Sequence, residues 1–260
     1  MWLVELVSTG LIVGILIGIS GVGGGSIMTP VLMLVLGMNP LVAVGTDLLY
    51  SVPTKIFGAF LHDRQRTLDW KIIRTLLYGG IPGALAGIAL LYGLRHLVDT
   101  HVLDIIVKRA VGIALFVAAA SLMYSLLTKR AAALRPPGDG AMDERRKLPL
   151  ALAGAIVGFF VSLTSIGSGA MTLPLLLLLA PAIGLRRLIG SDIAFAAFLI
   201  PIAAIGHASL GDINYKVALT LLVGSLPGVY VGSRLCKYLP EIWLRPAVAI
   251  VLVIAGTRLV

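Results

Sequence analysis

The chain has 260 residues, of which 58% are apolar and only 13% are charged. Soluble domains carry about a quarter charged residues, so this composition excludes an ordinary soluble protein and favours a membrane protein. The net charge of +9 does not indicate a nucleic-acid partner, because the basic residues lie in short segments between apolar runs, where they orient the chain and contact membrane lipid. Cys236 is the single cysteine, which excludes an internal disulfide and a cysteine metal centre.

Apolar runs predict five helical segments in each half of the chain. In chain order, these segments are 3–20, 27–37, 41–61, 72–93 and 102–127, then 149–163, 171–180, 187–206, 216–235 and 242–259. The second segment of each half is too short to cross a bilayer, since eleven residues of helix extend only about 16 Å. It is therefore expected to be a half-helix, joined to the segment before it through a glycine-rich break. The N-terminus lacks the basic region of a cleaved signal peptide, so the first run is expected to remain in the fold.

An internal repeat relates the two halves. A shift of 144 residues, which becomes 145 after one inserted residue, aligns eleven identities, many of them helix-breaking or polar. The aligned pairs are Gly14/Gly158, Gly23/Gly167, Gly25/Gly169, Pro30/Pro174, Gly45/Gly190, Asp47/Asp192, His62/His207, Lys71/Lys216, Pro82/Pro227, Gly83/Gly228 and Gly87/Gly232. Apolar composition alone does not align residues of these types. The chain is therefore expected to be a duplicated unit.

A polar segment from Lys129 to Lys147, with six basic residues and Arg135-Pro136-Pro137-Gly138, separates the halves. The excess of positive charge places it in the cytoplasm. The expected organisation is a first transmembrane repeat at 1–128, a cytoplasmic linker at 129–148 and a second repeat at 149–260. Alternate crossings counted from the linker place both termini outside the bacterial inner (plasma) membrane.

The charge of corresponding loops predicts that the second repeat is inverted. The turn before the third segment reads Met38-Asn39-Pro40 in the first half and Leu185-Arg186-Arg187 in the second, and the loops after the third segment show the reverse asymmetry. An odd number of segments in each half has the same consequence. The predicted fold class is an all-α integral membrane protein, an inverted repeat of two five-segment halves with broken or half-length helices at a central site.

The two glycine-rich breaks are the main candidate for a binding site. The first runs from Ser20 to Ser26 with Pro30 in the next helical turn, and the second runs from Thr164 to Gly169 with Pro174 in the matching place. Unwound backbone persists at membrane depth where it is buried in protein or lines a wet cavity. Its free N–H groups, at the positive end of a half-helix, can hold an anion. The alternative is close helix packing through small residues.

Ionisable residues within the third segments form a second group of candidates. Asp47 and Asp192 follow Thr46 and Ser191, and intramembrane carboxylates carry protons or organise a site, although hydration near the interface or a salt bridge would also explain them. His207 can shuttle protons near neutral pH or cap a helix end.

Two further residues, Lys55 and His62, have a structural explanation as well as a functional one. Lys55 is the one basic residue inside a predicted span, where it either extends to the cytoplasmic face or provides a counter-charge. His62 ends the third segment beside Asp63, where histidines often cap carbonyl groups.

No catalytic or nucleotide-binding motif is present. The sequence has no phosphate-binding loop of the Gly-x-x-x-x-Gly-Lys-Ser/Thr type, no His-Glu-x-x-His site and no Gly-x-Ser-x-Gly elbow. We therefore expect a protein that is not an enzyme, with no catalytic residues, no cofactor and no bound metal.

The duplicated break, followed by Gly-Thr-Asp at 45–47 and Gly-Ser-Asp at 190–192, resembles the sulfite exporter TauE/SafE family over residues 8–257. The resemblance implies transport of sulfite or sulfonates such as sulfoacetate across the bacterial inner membrane. The substrate-binding residues that it implies are Ser20, Gly23, Gly24, Gly25, Ser26, Thr164, Ser165, Gly167, Ser168 and Gly169. The coupling or supporting residues are Asp47, Asp192, His207, Thr46 and Ser191. The second break departs from the first, with Ser165 and Ser168 where the first has Gly21 and Gly24.

These inferences give one hypothesis with two alternatives. The hypothesis is a secondary transporter of small sulfur-containing anions that works by alternating access and is coupled to a proton or sodium gradient. The alternatives are a divalent metal-ion transporter and a passive anion channel. The expected partners are a small anion, membrane lipid and a coupling ion, and the glycine-rich helix faces leave a homodimer open.

Overall fold

The computed structural model of the protein describes residues 2–20, 24–133, 144–235 and 241–260. These residues form ten α-helices and a short 3-10 helix at Glu144–Arg146. The helices of the first half are α1 (Trp2–Ser20), α2 (Gly25–Leu34), α3 (Pro40–Arg64), α4 (Trp70–Leu97) and α5 (Thr100–Ala133). Those of the second half are α6 (Lys147–Thr164), α7 (Thr172–Leu179), α8 (Leu185–Leu210), α9 (Tyr215–Leu235) and α10 (Glu241–Leu259).

The ten predicted segments are all present, which confirms the all-helical prediction. The largest difference in length is in α5, which continues to Ala133, past its predicted end at residue 127. The extension consists of Thr128, Lys129, Arg130 and three Ala residues. Lys, Arg and Ala are strong helix formers, although the charged residues end the hydrophobic run.

Several helices are long and apolar enough to cross a membrane, whereas α2 and α7 are not. Five such spans occur within the described residues, at Trp70–Leu97, Thr100–Tyr124, Lys147–Thr164, Leu185–Leu210 and Tyr215–Gly232. With ten and eight residues, α2 and α7 extend only about 15 and 12 Å, against a hydrocarbon core of about 30 Å. α7 begins shortly after the predicted second break, which ends at Gly169. The prediction for the first break was partly wrong, because α2 begins at Gly25 and therefore includes Gly25 and Ser26, whereas residues 21–23 lie outside the described residues.

The first helix of each half packs on the fourth helix of the other half. On α1, Gly10 and Gly14 lie so close to α9 that an added Cβ would be 2.5 Å from the carbonyl oxygens of Leu221 and Ser225. On α6, the equivalent residues Gly154 and Gly158 would place a Cβ 2.2 and 2.1 Å from the carbonyl oxygens of Leu76 and Gly80 on α4. Only glycine permits so close an approach of two helix backbones.

The fourth helices contribute glycines to the same two interfaces. Gly79 and Gly83 on α4 contact the backbone of α6, and their counterparts Gly224 and Gly228 on α9 contact the backbone of α1. The α1–α9 and α4–α6 interfaces therefore use equivalent residues. The two halves are intertwined, because each half covers the glycine faces of the other.

The third helices, α3 and α8, lie antiparallel to each other at the centre. Gly45, near the start of α3, is adjacent to His207 near the end of α8, whereas Gly58 in the later part of α3 is adjacent to Ile193 in the early part of α8. On the periphery, α5 and α10 pack closely at Gly112 and Gly256. The buried polar side chains are concentrated around α3, α8 and the two breaks.

Candidate functional site

The two glycine-rich breaks contact each other at the centre of the protein. Gly25, the first residue of α2, lies against Ser165, the residue that follows α6, and an added Cβ on Gly25 would be 2.0 Å from the Ser165 carbonyl oxygen. The second break contains a left-handed Ser165 with φ 59°, and Gly169 with φ 89°. These conformations end α6 and redirect the chain before α7 begins. The contact places the N-terminal end of α2 against the residue that follows α6.

Two buried hydroxyl groups at this contact have no hydrogen-bond partner. The side chains of Ser26 and Ser165 are 2% and 4% exposed, and neither Oγ atom bonds to any residue that the structure describes. A buried hydroxyl without a partner costs about 1–3 kcal/mol, so proteins rarely retain one unless water or a ligand satisfies it. The two hydroxyls are therefore candidate donors for a polar ligand.

The Asp47 carboxylate lies beside this contact and is fully buried. Its Oδ2 accepts a hydrogen bond from the Thr29 hydroxyl on α2, and its Oδ1 accepts a longer one, at 3.4 Å, from Ser51 one turn further along α3. Ser165 of the second break also faces this carboxylate. Asp47 thus connects α3 with both breaks.

Asp192 has the corresponding position in the second half. Its Oδ1 accepts the backbone N–H of Gly169 at 3.3 Å, and Thr172 in the first turn of α7 faces the same carboxylate. The side chain is 4% exposed. Asp192 therefore holds the second break, as Thr29 and Asp47 hold the start of α2.

Lys55 interacts electrostatically with both aspartates. It follows Asp47 by eight residues and Ser51 by four, so the three side chains lie on one side of α3. It also precedes Gly58, which contacts α8 next to Asp192, by one turn. Lys55 forms no ion pair within 4 Å of either aspartate, so its positive charge acts on both buried carboxylates at longer range. Its spacing from Asp47 is the sequence signal that identifies this position.

Thr46 and Ser191 anchor loops of the opposite half. The Thr46 hydroxyl accepts the backbone N–H of Asn214 at 3.0 Å, and the Ser191 hydroxyl accepts that of Asp69 at 2.9 Å. Asn214 and Asp69 are themselves equivalent residues that cap the starts of α9 and α4. These two hydroxyls therefore support the site from outside it.

His207 and Thr164 use their side chains to satisfy backbone groups near the end of α6. The Nε2 of His207 donates to the Ser162 carbonyl at 2.8 Å, and its buried Nδ1 has no partner among the described residues. Thr164 donates to the Phe160 carbonyl at 2.7 Å and accepts the Ile166 N–H at 3.1 Å. The side chain of Ser20, and Gly23 as a whole, lie outside the described residues. Ser168 is 7% exposed, and Gly167 packs against Val161.

Comparison with known proteins identifies the family. The family model described as sulfite exporter TauE/SafE matches residues 6–259. The chain belongs to this family.

Relatives of this TauE/SafE chain have names that describe transport. The probable membrane transporter protein YjnA of Bacillus subtilis (strain 168) is 39% identical over 99% of both chains. The probable membrane transporter protein YdhB of the same organism is 26% identical over 95% of this chain and 96% of its own. The probable membrane transporter protein MJ0441 of Methanocaldococcus jannaschii is 27% identical over 83% of this chain and 73% of its own. No solved structure matches. The protein is therefore a multi-pass membrane protein of a transporter family and not an enzyme.

Two ion pairs connect α4 with α8 at the opposite ends of the TauE/SafE core. At one end, Arg187 donates to Asp69 at 2.8 Å. At the other, Arg95 contacts Asp212 at 3.1 Å and also donates to the Leu210 carbonyl. Burial raises the pKa of Asp212 above its ordinary value of 3.8, and the charge of Arg95 opposes that rise. The sequence carries no local signal for these pairs, because the partners are more than 100 residues apart.

Among the described residues of this TauE/SafE protein, no three His, Cys, Asp or Glu side chains come close enough together to hold a metal ion. The central site consists of backbone N–H groups, hydroxyls, two carboxylates and one ammonium group. Such a donor set can hold an anion together with a proton or small cation.

Proposed function

We propose that this TauE/SafE protein is a secondary transporter that moves small sulfur-containing anions, sulfite or sulfonates such as sulfoacetate, across the bacterial inner membrane by alternating access. The observation that carries the proposal is the contact between the two breaks at Gly25 and Ser165, which sets the N-terminal end of α2 against the second break. The family description, sulfite exporter, supports the substrate class.

The contact between the two breaks offers hydrogen-bond donors to an anion with several acceptor oxygens. The first N–H groups of a helix have no partner within it, and the helix dipole adds partial positive charge there. The free hydroxyls of Ser26 and Ser165 add two donors. Sulfite and sulfonate groups each present three oxygens, so a single group can accept hydrogen bonds from both breaks.

An inverted repeat would give the protein two alternative access routes. The antiparallel packing of the equivalent helices α3 and α8 supports inversion, since equivalent helices that cross a membrane in opposite directions belong to units of opposite orientation. The reciprocal interfaces α1–α9 and α4–α6 are those of a two-fold relation. We place the linker in the cytoplasm and both termini outside, in agreement with the charge of the loops.

The charges at the site favour coupling to a cation. Asp47, Asp192 and Lys55 together carry one net negative charge when all are ionised. An anion that enters beside them increases the repulsion unless a proton or sodium ion enters too. We therefore propose that a proton or sodium gradient drives the transport.

Flux into proteoliposomes tests the function directly. Purified protein is reconstituted and exposed to sulfite, sulfoacetate, taurine, sulfate and cobalt ions, with and without imposed proton and sodium gradients. The proposal requires saturable, gradient-dependent flux of a sulfur anion. Flux of cobalt alone supports the metal-transporter alternative, and flux of every anion without saturation supports a channel; either result contradicts the proposal.

Removing the two free hydroxyls tests the location of the site. The double variant Ser26→Ala/Ser165→Ala should fold, because both hydroxyls lack partners within the described protein, but its KM for the transported anion should rise by about tenfold or more. Ser209→Ala is the matched control, since the exposed Ser209 only donates to the Gly206 carbonyl in its own helix. Equal KM values for the double variant and the control would place the substrate elsewhere.

A further inference from the structure

The two repeats differ in polarity around their equivalent aspartates. Three polar residues on α3 have apolar counterparts 145 residues later on α8: Tyr50 corresponds to Phe195, Ser51 to Ala196 and Lys55 to Ile200. Ser225 on α9 likewise corresponds to Gly80 on α4. In all four pairs, the polar residue is the one that lies near Asp47, and the apolar residue is the one that lies near Asp192. Two halves with equivalent interfaces thus surround a site with unequal sides.

Tyr50 shows the difference most clearly. Its ring packs against Gly24, where an added Cβ would be 3.4 Å from Tyr50 Cε1, and the residue is 1% exposed. Its hydroxyl faces Ser225 but has no hydrogen-bond partner among the described residues. The hydroxyl therefore lies unsatisfied beside the start of α2, where the first break ends.

The second half shows that packing alone does not require this hydroxyl. Phe195, the equivalent of Tyr50, lies over Gly80, the equivalent of Ser225. An added Cβ on Gly80 would be 2.6 Å from Phe195 Cε2. A phenyl ring therefore fills the equivalent position without any polar atom. An unsatisfied buried hydroxyl costs stability, so its presence on one side only indicates a ligand that it contacts.

Lys55 adds a positive charge on the same side of the repeat axis. On α3, Tyr50 and Lys55 follow Asp47 by three and eight residues, so they flank the Asp47 side chain in opposite directions around the helix. The equivalent of Lys55 is Ile200, which is 2% exposed in the hydrophobic core. The first half therefore supplies both a free donor and a counter-charge, whereas the second half supplies neither at these positions.

We propose that the substrate anion binds off the axis that relates the two repeats, on the α3 side, where the Tyr50 hydroxyl donates a hydrogen bond to one of its oxygens and the Lys55 ammonium group balances its charge. The second break completes the site through Ser165 and its backbone. This inference rests on the proposed transport of a sulfur oxyanion and adds the residues that bind it.

The decisive variant is Tyr50→Phe, which introduces the residue that the second repeat already has. The unaltered protein, Tyr50→Phe and the control Tyr78→Phe, whose side chain is 81% exposed on α4, are reconstituted and assayed for saturable sulfite and sulfoacetate flux. The loss of one hydrogen bond to a charged oxygen should raise KM by about tenfold or more in Tyr50→Phe and leave the control unchanged. Thermal unfolding of each variant verifies that the variants fold.

Lys55→Met and Lys55→Arg test the counter-charge separately. Lys55→Met should reduce flux by about tenfold or more, and Lys55→Arg, which retains the charge, should preserve more of it than Lys55→Met does. Saturable flux by the unaltered protein together with an unchanged KM in Tyr50→Phe overturns the off-axis site and leaves the transport proposal intact. Absence of sulfur-anion flux from the unaltered, folded protein contradicts the transport proposal itself.

Discussion

The equivalent residues Asp47 and Asp192 make different hydrogen bonds. Asp47 is held by the hydroxyls of Thr29 and Ser51, whereas Asp192 accepts the backbone N–H of Gly169 in addition to facing the Thr172 hydroxyl. A hydroxyl can donate to a carboxylate and can also accept from a carboxylic acid, but an N–H can only donate. The surroundings of Asp47 therefore accommodate both protonation states, and Asp47 is the better candidate to carry a coupled proton.

We accordingly expect Asp47→Asn and Asp192→Asn to have different effects. Asp47→Asn should abolish proton-driven accumulation of the anion while anion exchange across the membrane continues. Asp192→Asn should retain the coupling but raise KM several-fold, since it weakens the support of the second break. Counterflow and gradient-driven uptake, measured on the same proteoliposomes, separate the two effects. Proton-driven accumulation by Asp47→Asn would exclude it as the proton carrier.

The side chain of His207 stabilises the fold through a hydrogen bond to the backbone. The carbonyl of Ser162 is in the last turn of α6, where carbonyls lack helical partners, and His207 Nε2 supplies the missing donor. His207→Ala should therefore lower the free energy of unfolding by about 1–3 kcal/mol, or a few degrees in Tm. His207→Gln, which can still donate, should recover part of that loss and retain coupled transport. Loss of coupling in a stable His207→Gln variant would instead indicate proton transfer through the ring.

Asp212, which lies outside the membrane spans, forms an ion pair with Arg95 and makes the stability of the protein depend on pH. Because burial raises the pKa of Asp212, the folded protein holds this proton more tightly than the unfolded chain. The resulting stabilisation is present below about pH 3.8 and is lost as the pH rises through the folded pKa. At neutral pH, Asp212→Asn should therefore leave Tm unchanged or raise it, whereas Arg95→Gln should lower it. Thermal unfolding at pH 7 distinguishes these results, and a larger loss for Asp212→Asn would reverse the assignment.

At the scale of elements, glycines determine which helices pack together. An added Cβ would be 1.7 Å from a carbonyl oxygen at Gly79 and 2.0 Å at Gly224, its counterpart on α9. Because the two interfaces are equivalent, Gly79→Ala and Gly224→Ala should destabilise the protein similarly, by about 1–3 kcal/mol each. Gly93→Ala is the control on α4, since nothing lies within 4 Å of its added Cβ. Thermal unfolding of the three variants tests the prediction, and a loss at only one of the two interfaces contradicts their equivalence.

The elements could be predicted from the sequence better than their partners could. Long apolar runs and the breaks at Gly25 and Ser165 predicted ten segments, because these signals are local. The contact of α1 with α9 could not be predicted, since a glycine face fits any close neighbour, within or between protomers. Lys55 was recognised as unusual, but its interaction with Asp192 depends on how α3 lies against α8. Tyr50 went unnoticed because an aromatic residue in an apolar helix carries no signal of its own.

At the scale of the whole molecule, alternating access requires that the two repeats move relative to each other. The third helices contact each other where an added Cβ on Gly58 would be 3.1 Å from Ile193 Cγ2. A disulfide between cysteines at these two positions should therefore form with little backbone movement. In a Cys236→Ser background, oxidation of Gly58→Cys/Ile193→Cys should stop transport and a reductant should restore it. Full flux through the oxidised, verified crosslink would show that α3 and α8 do not move apart during the cycle.

The intertwined packing of the halves also has a consequence for biogenesis. Gly10 and Leu221, which meet in the folded protein, are about 210 residues apart, and a ribosome needs about 10–40 s to synthesise that length. During this time the glycine faces of the nascent first half lack the helices that cover them in the folded protein. Synthesis of the second half ends that exposure, since α6 and α9 cover the faces of α4 and α1. In a half-length ancestor, a second copy could have covered the same faces, and gene fusion would have made that pairing permanent.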